Sequence, residues 1–127
     1  WNGAVGPQLG YDYARLAGLS ADRFTFGLAG AHRLDNATSI TGALVSDLDA
    51  FGDDFAARID AEREIAAGFT LYGGLNVERF DGVTGRGLEL GSRYGIGKGA
   101  FIDGRANYER IQGDSRRSLS VGIGFAF

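Results

Sequence analysis

Shifted by 31 residues, the chain falls on itself. Leu34, Ile65, Ile96 and Phe127 come into register, as do Gly42, Gly73 and Gly104, while Asn76, Glu78 and Arg79 meet Asn107, Glu109 and Arg110. Such a unit is too short for a βαβ crossover with full strands and a helix. It fits a β-hairpin of two strands of roughly 10 to 12 residues plus two turns. The C-terminal stretch has the matching periodicity: Leu119, Val121, Ile123, Phe125 and Phe127 share one face, and Ser118, Ser120, Gly122, Gly124 and Ala126 the other. The pattern predicts a meander of four hairpins, with eight strands near 7–16, 23–34, 38–47, 55–65, 69–79, 86–96, 100–110 and 117–127. Turns at 35–37, 66–68 and 97–99 are expected to be short and to share one rim. Those around 17–22, 48–54, 80–85 and 111–116 are expected to be longer and to share the other.

A chain of 127 residues is expected to be one domain, 1–127, with no linker. With 22 glycines, 12% aromatics and one proline, the composition suits a β-protein with tight turns and close strand contacts. Cysteine is absent, which removes disulfides and thiolate metal sites. A net charge of -3 with dispersed arginines argues against nucleic acid as a partner. No apolar run reaches the ~18 to 20 residues of a transmembrane helix.

The strands divide into two chemically distinct faces. Twenty-six large apolar residues, among them Leu9, Phe26, Leu44, Ile59, Leu71, Leu75, Leu88, Leu90, Ile102 and Ile123, fall on one. Asp12, Arg58, Asp60, Glu62, Glu64, Glu78, Glu89, Arg93, Asp103, Arg105, Asn107 and Glu109 fall on the other. An eight-stranded barrel has room inside for roughly a dozen side chains, so the apolar set does not fit there. Turned outward it makes a lipid-facing band around a polar interior. The expected fold is therefore an all-β, eight-stranded, antiparallel up-and-down transmembrane β-barrel.

Pairing across the predicted turns sets Arg93 opposite Asp103, Glu89 diagonal to Arg105, and Arg58 diagonal to Glu78. These six are expected to form an ionic network that fills the lumen, because charges taken out of water must be paired. On the apolar face, His32, Arg63, Tyr94 and Phe125 fall at equal depth, where amphipathic side chains suit a membrane interface. His32 is the only histidine and lies a strand-length from the longer loops, so no catalytic grouping can be assembled around it. Asp47, Asp49, Asp53 and Asp54 read as an acidic surface loop, with a hard cation as the alternative. Gly95, Gly97 and Gly99 are turn glycines rather than a phosphate cradle. Neither enzymatic activity nor a cofactor or metal is expected.

Ser120, Gly122, Phe125 and Phe127 match the terminal-strand insertion signal of bacterial outer-membrane β-barrels, which the chain resembles over nearly its whole length. The eight strands and filled lumen are similar to the small barrels of the outer-membrane protein A and X type. The stretch from Gly87 to Phe127, with Tyr108, Glu109 and Arg110 before the last loop, is similar to the final hairpins of the autotransporter translocator domain. The resemblance implies an integral location in the bacterial outer membrane. It implies outer-membrane lipid, lipopolysaccharide and the barrel-assembly machinery as partners. It also implies a membrane-spanning scaffold with at most weak pore activity. Alternatives are the C-terminal part of a larger barrel, either an autotransporter-type translocator or a porin-like channel, and an engineered or hairpin-duplicated barrel. A soluble lipocalin-like ligand-binding barrel is disfavoured by volume.

Overall fold

The computed structural model describes residues 2–16, 19–48 and 53–126, with the backbone alone for 12–16 and 19–23. Phe127 of the terminal signal, Asp49 of the acidic loop and Trp1 lie outside these residues. Eight strands follow one another: β1 (Gly3–Leu16), β2 (Leu19–Arg33), β3 (Thr38–Asp47), β4 (Phe55–Ala66), β5 (Phe69–Phe80), β6 (Val83–Gly97), β7 (Ala100–Ile111) and β8 (Asp114–Phe125). Each pairs antiparallel with the next in a single eight-stranded sheet of order β1-β2-β3-β4-β5-β6-β7-β8. The all-β meander expected from the repeat is what forms.

Two points differ from the sequence expectation. The sheet is not closed, since no ladder joins β1 to β8 among the described residues. Alternation decides which residues share a face, whereas closure depends on tilt and curl accumulated over every strand, which no local pattern records. The second point is the rims. The connections at Asp81–Gly82 and Gln112–Gly113 are two-residue turns, as short as Lys98–Gly99 at the other end, while the connection over 34–37 has four residues and the segment between Asp47 and Phe55 is longer still. In all three tight turns both residues have φ between 47° and 96°. That is the type I′ geometry whose twist matches a hairpin, and glycine occupies the second position each time. Asp81, Gln112 and their neighbours therefore stay in or beside strands instead of forming loops.

Parity holds through the whole sheet. Leu28 faces Leu44, Leu75 faces Leu88, and Ile102 faces Ile123, all on one face. The opposite, charged face is concave: one cleft on it is lined from β3 to β7, and another from β1 to β4. Burial follows this division in the reverse sense from a water-soluble domain. No hydrophobic residue is buried among the described ones, and Leu9, Leu119 and Val121 are 78%, 81% and 75% exposed.

Bulky groups on the concave face lie over glycines directly opposite them. Tyr72 pairs with Gly91 and Phe101 with Gly124. A methyl group placed on either glycine would run into the facing aromatic ring, and one on Gly74 or Gly87 would meet Asp60 or Asn76. Gly122, two residues from Gly124, has open space around it. Glycine here makes room for a side chain from the neighbouring strand. Gly91→Ala should thus cost about 1 to 3 kcal/mol in denaturant unfolding, from overpacking against Tyr72. Gly122→Ala should stay within about 0.5 kcal/mol. Equal losses would show that the Tyr72 and Gly91 fit is not what limits the site.

The β2–β3 turn is held by Asp35. The Ala37 N–H donates to its Oδ1 at 2.7 Å, and the Thr38 hydroxyl to its Oδ2 at 3.1 Å. These bonds, that from Ala37 first, hold the carboxyl below the usual aspartate range. The contribution to turn stability is present above the unfolded-state pKa and is lost as pH falls through the lowered value. In an NMR titration the Asp35 carboxyl should protonate below a free aspartate, with the Ala37 amide shifting in step. Titration of Asp35 at or above the ordinary value would contradict this anchor.

Candidate functional site

The concave face collects the carboxylates of β4 to β8. Every acidic residue within β4 to β8 points to it, because alternation from Asp60, Glu78, Glu89, Asp103 and Asp114 gives all of them one parity. At mid-strand the side chains join into a chain of contacts. Arg58 Nε donates to Asp60 Oδ2 at 2.6 Å, and its other arm reaches Glu89 Oε1, two strands away, at 3.4 Å. Arg105 bridges Glu89 at 3.7 Å and Asp103 at 3.4 Å. Arg93 lies 3.5 Å from Asp103. Three guanidiniums and three carboxylates thus balance one another.

The 31-residue repeat explains the reach of these pairs. Arg58 and Glu89 differ by 31 positions, as do Tyr72 and Asp103, so each pair sits on strands two apart and two residues off direct register. The intervening strand places Gly74 beside the first pair and Gly91 beside the second, which leaves the line between the partners open. The Tyr72 hydroxyl is 2.8 Å from both Asp103 oxygens and 3.3 Å from Arg105 Nε, from which it accepts. Arg93 lies 4.9 Å from the centre of the Phe101 ring, and Arg105 lies 5.8 Å from that of Tyr72.

Arg58, Glu89, Arg93, Asp103 and Arg105 are therefore brought together, and Glu78 is not. Its register is diagonal to Arg58, since Arg58 faces Asn76. The guanidinium turns instead to the nearer carboxylate of Asp60 on its own strand, and Glu78 leans toward Gly85. Asp60 and Tyr72 take part without having been assigned to the network. Tyr72 and Phe101 are legible in retrospect, for each has the parity of the charged face and a glycine directly opposite.

Solvent reaches this network. The side chains of Arg58, Arg93 and Arg105 are 53%, 45% and 41% exposed, while their carboxylate partners are more sheltered. Clefts of about 380 and 350 Å³ flank it, the second lined by Ser39, Thr41, Glu62 and the three arginines. The arrangement can order water and screen charge across the concave face.

Elsewhere, His32, Arg63, Tyr94 and Phe125 all have outer-face parity near the turns that follow β2, β4 and β6. Ser120 and Gly122 lie on the inner face of β8 and Phe125 on its outer face. In the acidic loop, Asp54 Oδ1 accepts from the Asp81 N–H at 2.9 Å, tying the β3–β4 connection to the β5–β6 turn. Among the described residues no three His, Cys, Asp or Glu side chains group to hold a metal ion.

Tyr72→Phe removes the hydroxyl shared by Asp103 and Arg105 and should cost about 1 to 2 kcal/mol. Arg105→Ala, half exposed, should cost about 1 kcal/mol rather than the larger loss of a dry ion pair. Glu78→Gln should be neutral within about 0.5 kcal/mol. Equilibrium unfolding of the three variants checks the order, and a Glu78 loss as large as that of Tyr72 would place Glu78 in the network after all.

No protein-family model, curated protein or solved structure matches the chain.

Proposed function

We propose that this chain forms an integral outer-membrane β-barrel. It would act as a membrane-spanning scaffold, with a polar lumen largely filled by side chains and at most weak pore activity. The observation that carries this reading is the inverted distribution of polarity. The apolar face is exposed and convex, while the ionic chain from Arg58 to Arg93 lines the concave side. In water this would leave a large apolar surface uncovered; in a bilayer the same surface meets hydrocarbon, and closure of β1 on β8 would pair the backbone groups that those two edges leave open. Aromatic pairs on the outer face add support. Tyr11 and Phe24 lie 4.7 Å apart toward one rim, and Phe69 and Tyr94 lie 6.4 Å apart toward the other. Girdles of this kind flank the apolar band of membrane barrels.

A second reading is favoured by the open edges of β1 and β8: the chain supplies part of a larger barrel, of the autotransporter-translocator or porin-like kind. The two readings differ in bore. A barrel of these eight strands leaves little space beyond the side chains, whereas added strands would widen the lumen past the reach of Arg58 and Arg105.

Folding should require detergent or lipid and produce a heat-modifiable band on gels. Spin labels at Leu71, Leu90 and Ile123 should be accessible to an apolar quencher dissolved in the bilayer, and labels at Glu89 and Asp103 should not. A chain that folds without amphiphile, or the reverse pattern of quenching, would overturn the membrane assignment. In planar bilayers the small barrel should give little conductance, with any leak preferring cations because acidic groups outnumber basic ones on the concave face. A large, steady conductance would select the wider barrel.

A further inference from the structure

The convex face of β4 to β8 carries no carboxylate, yet Arg79, Arg86, Arg110 and Arg117 all have its parity. They cluster at the rim marked by the Asp81–Gly82 and Gln112–Gly113 turns. Arg86 and Arg110 stand directly opposite each other across the β6–β7 ladder. Like charges in that position repel, and among the described residues neither forms a salt bridge. They share a shallow cleft of about 360 Å³ with Thr84 and Gln112. Arg117 follows on β8, packed 5.9 Å from the Tyr108 ring, and Arg79 precedes on β5, so the four make an inclined row.

The row stands at a fixed distance from the aromatic rim. From Arg86 to Tyr94 on β6, and from Arg117 to Phe125 on β8, the separation is eight residues, or about 26 Å along the strand. At a tilt of roughly 40° this is about 20 Å along a membrane normal, comparable with the apolar band of a membrane barrel. Leu88 and Leu90 fill the interval on β6; Leu119, Val121 and Ile123 fill it on β8.

We propose that Arg86 and Arg110, flanked by Arg79 and Arg117, form a binding site for the phosphate of an anionic lipid headgroup at this rim. Two guanidiniums facing one cleft match a phosphate with paired hydrogen bonds, and a bound phosphate removes their mutual repulsion. Leu88, Tyr108 and Leu119 below the cleft continue as a surface for the acyl chains. The lipid rather than free phosphate is the occupant because the charged cleft is continuous with this exposed apolar band. The site rests on the membrane-barrel reading and is tested separately from it.

Protein folded in neutral detergent and mixed with phosphatidic acid or phosphatidylcholine is examined by native mass spectrometry. Phosphatidic acid should stay bound and phosphatidylcholine should not. The R86Q/R110Q variant should give the same heat-modifiable band but retain at least about tenfold less phosphatidic acid, a difference of about 1.4 kcal/mol. Arg63→Gln at the opposite rim should retain it fully, and Arg86→Lys in part. Equal retention by the folded double variant, or equal retention of both lipids, overturns the site and leaves the barrel reading standing. Full displacement by millimolar inorganic phosphate assigns the cleft to the free anion and overturns the lipid. Folding without any detergent, with no heat-modifiable band, overturns the barrel reading and this site with it.

Discussion

Cross-strand register is the constraint on which the rest of this structure depends. A slip of one residue at any hairpin would move a whole strand's apolar set to the charged face. Two-residue turns with both residues at positive φ leave no slack for such a slip, and three of the hairpins are closed this way. Where the chain departs from ideal pairing, between Glu64 and Ala66 and between Gly95 and Gly97, the irregularity sits beside a turn. It is absorbed before the strand interior, so Arg93 still faces Asp103.

With register secured, side-chain size on the concave face becomes the next determinant. A curled sheet crowds its inner surface, and long groups fit only where a neighbour withdraws. Tyr72 over Gly91 and Asn76 over Gly87 on the β5–β6 ladder, and Phe101 over Gly124 on the β7–β8 ladder, show the same solution. The glycines also open the path between residues 31 positions apart. A repeat that began as a folding unit thereby becomes the spacing of the ion pairs. The acidic side chains of β4 to β8 go to the concave face and the four rim arginines to the convex one, so charge as well as hydropathy is sorted by parity there.

Much of this was legible in the chain itself. Alternation in residues 117–127 and the 31-residue shift placed eight strands within a few residues of their observed bounds. The Arg93 and Asp103 pairing follows from counting back across one turn. The contact between Arg58 and Asp60 did not, because a flexible guanidinium can serve any carboxylate within its reach, and register alone leaves several. The tight turns at Asp81–Gly82 and Gln112–Gly113 were missed because their flanks, Phe80 to Gly85 and Ile111 to Arg116, are rich in glycine and charge. That composition reads as loop, but the left-handed backbone at the turn residues lets the strands run on.

The sequence by itself determined the number and order of the strands and which side chains share a face, since both follow from a period of two interrupted by turns. Only the tertiary structure decided which carboxylate each guanidinium meets and that the aromatic rings lie over glycines. It also decided that, among the described residues, no ladder joins the first strand to the last. These depend on rotamers and on curl accumulated over eight strands, quantities that emerge only when all the ladders are assembled together.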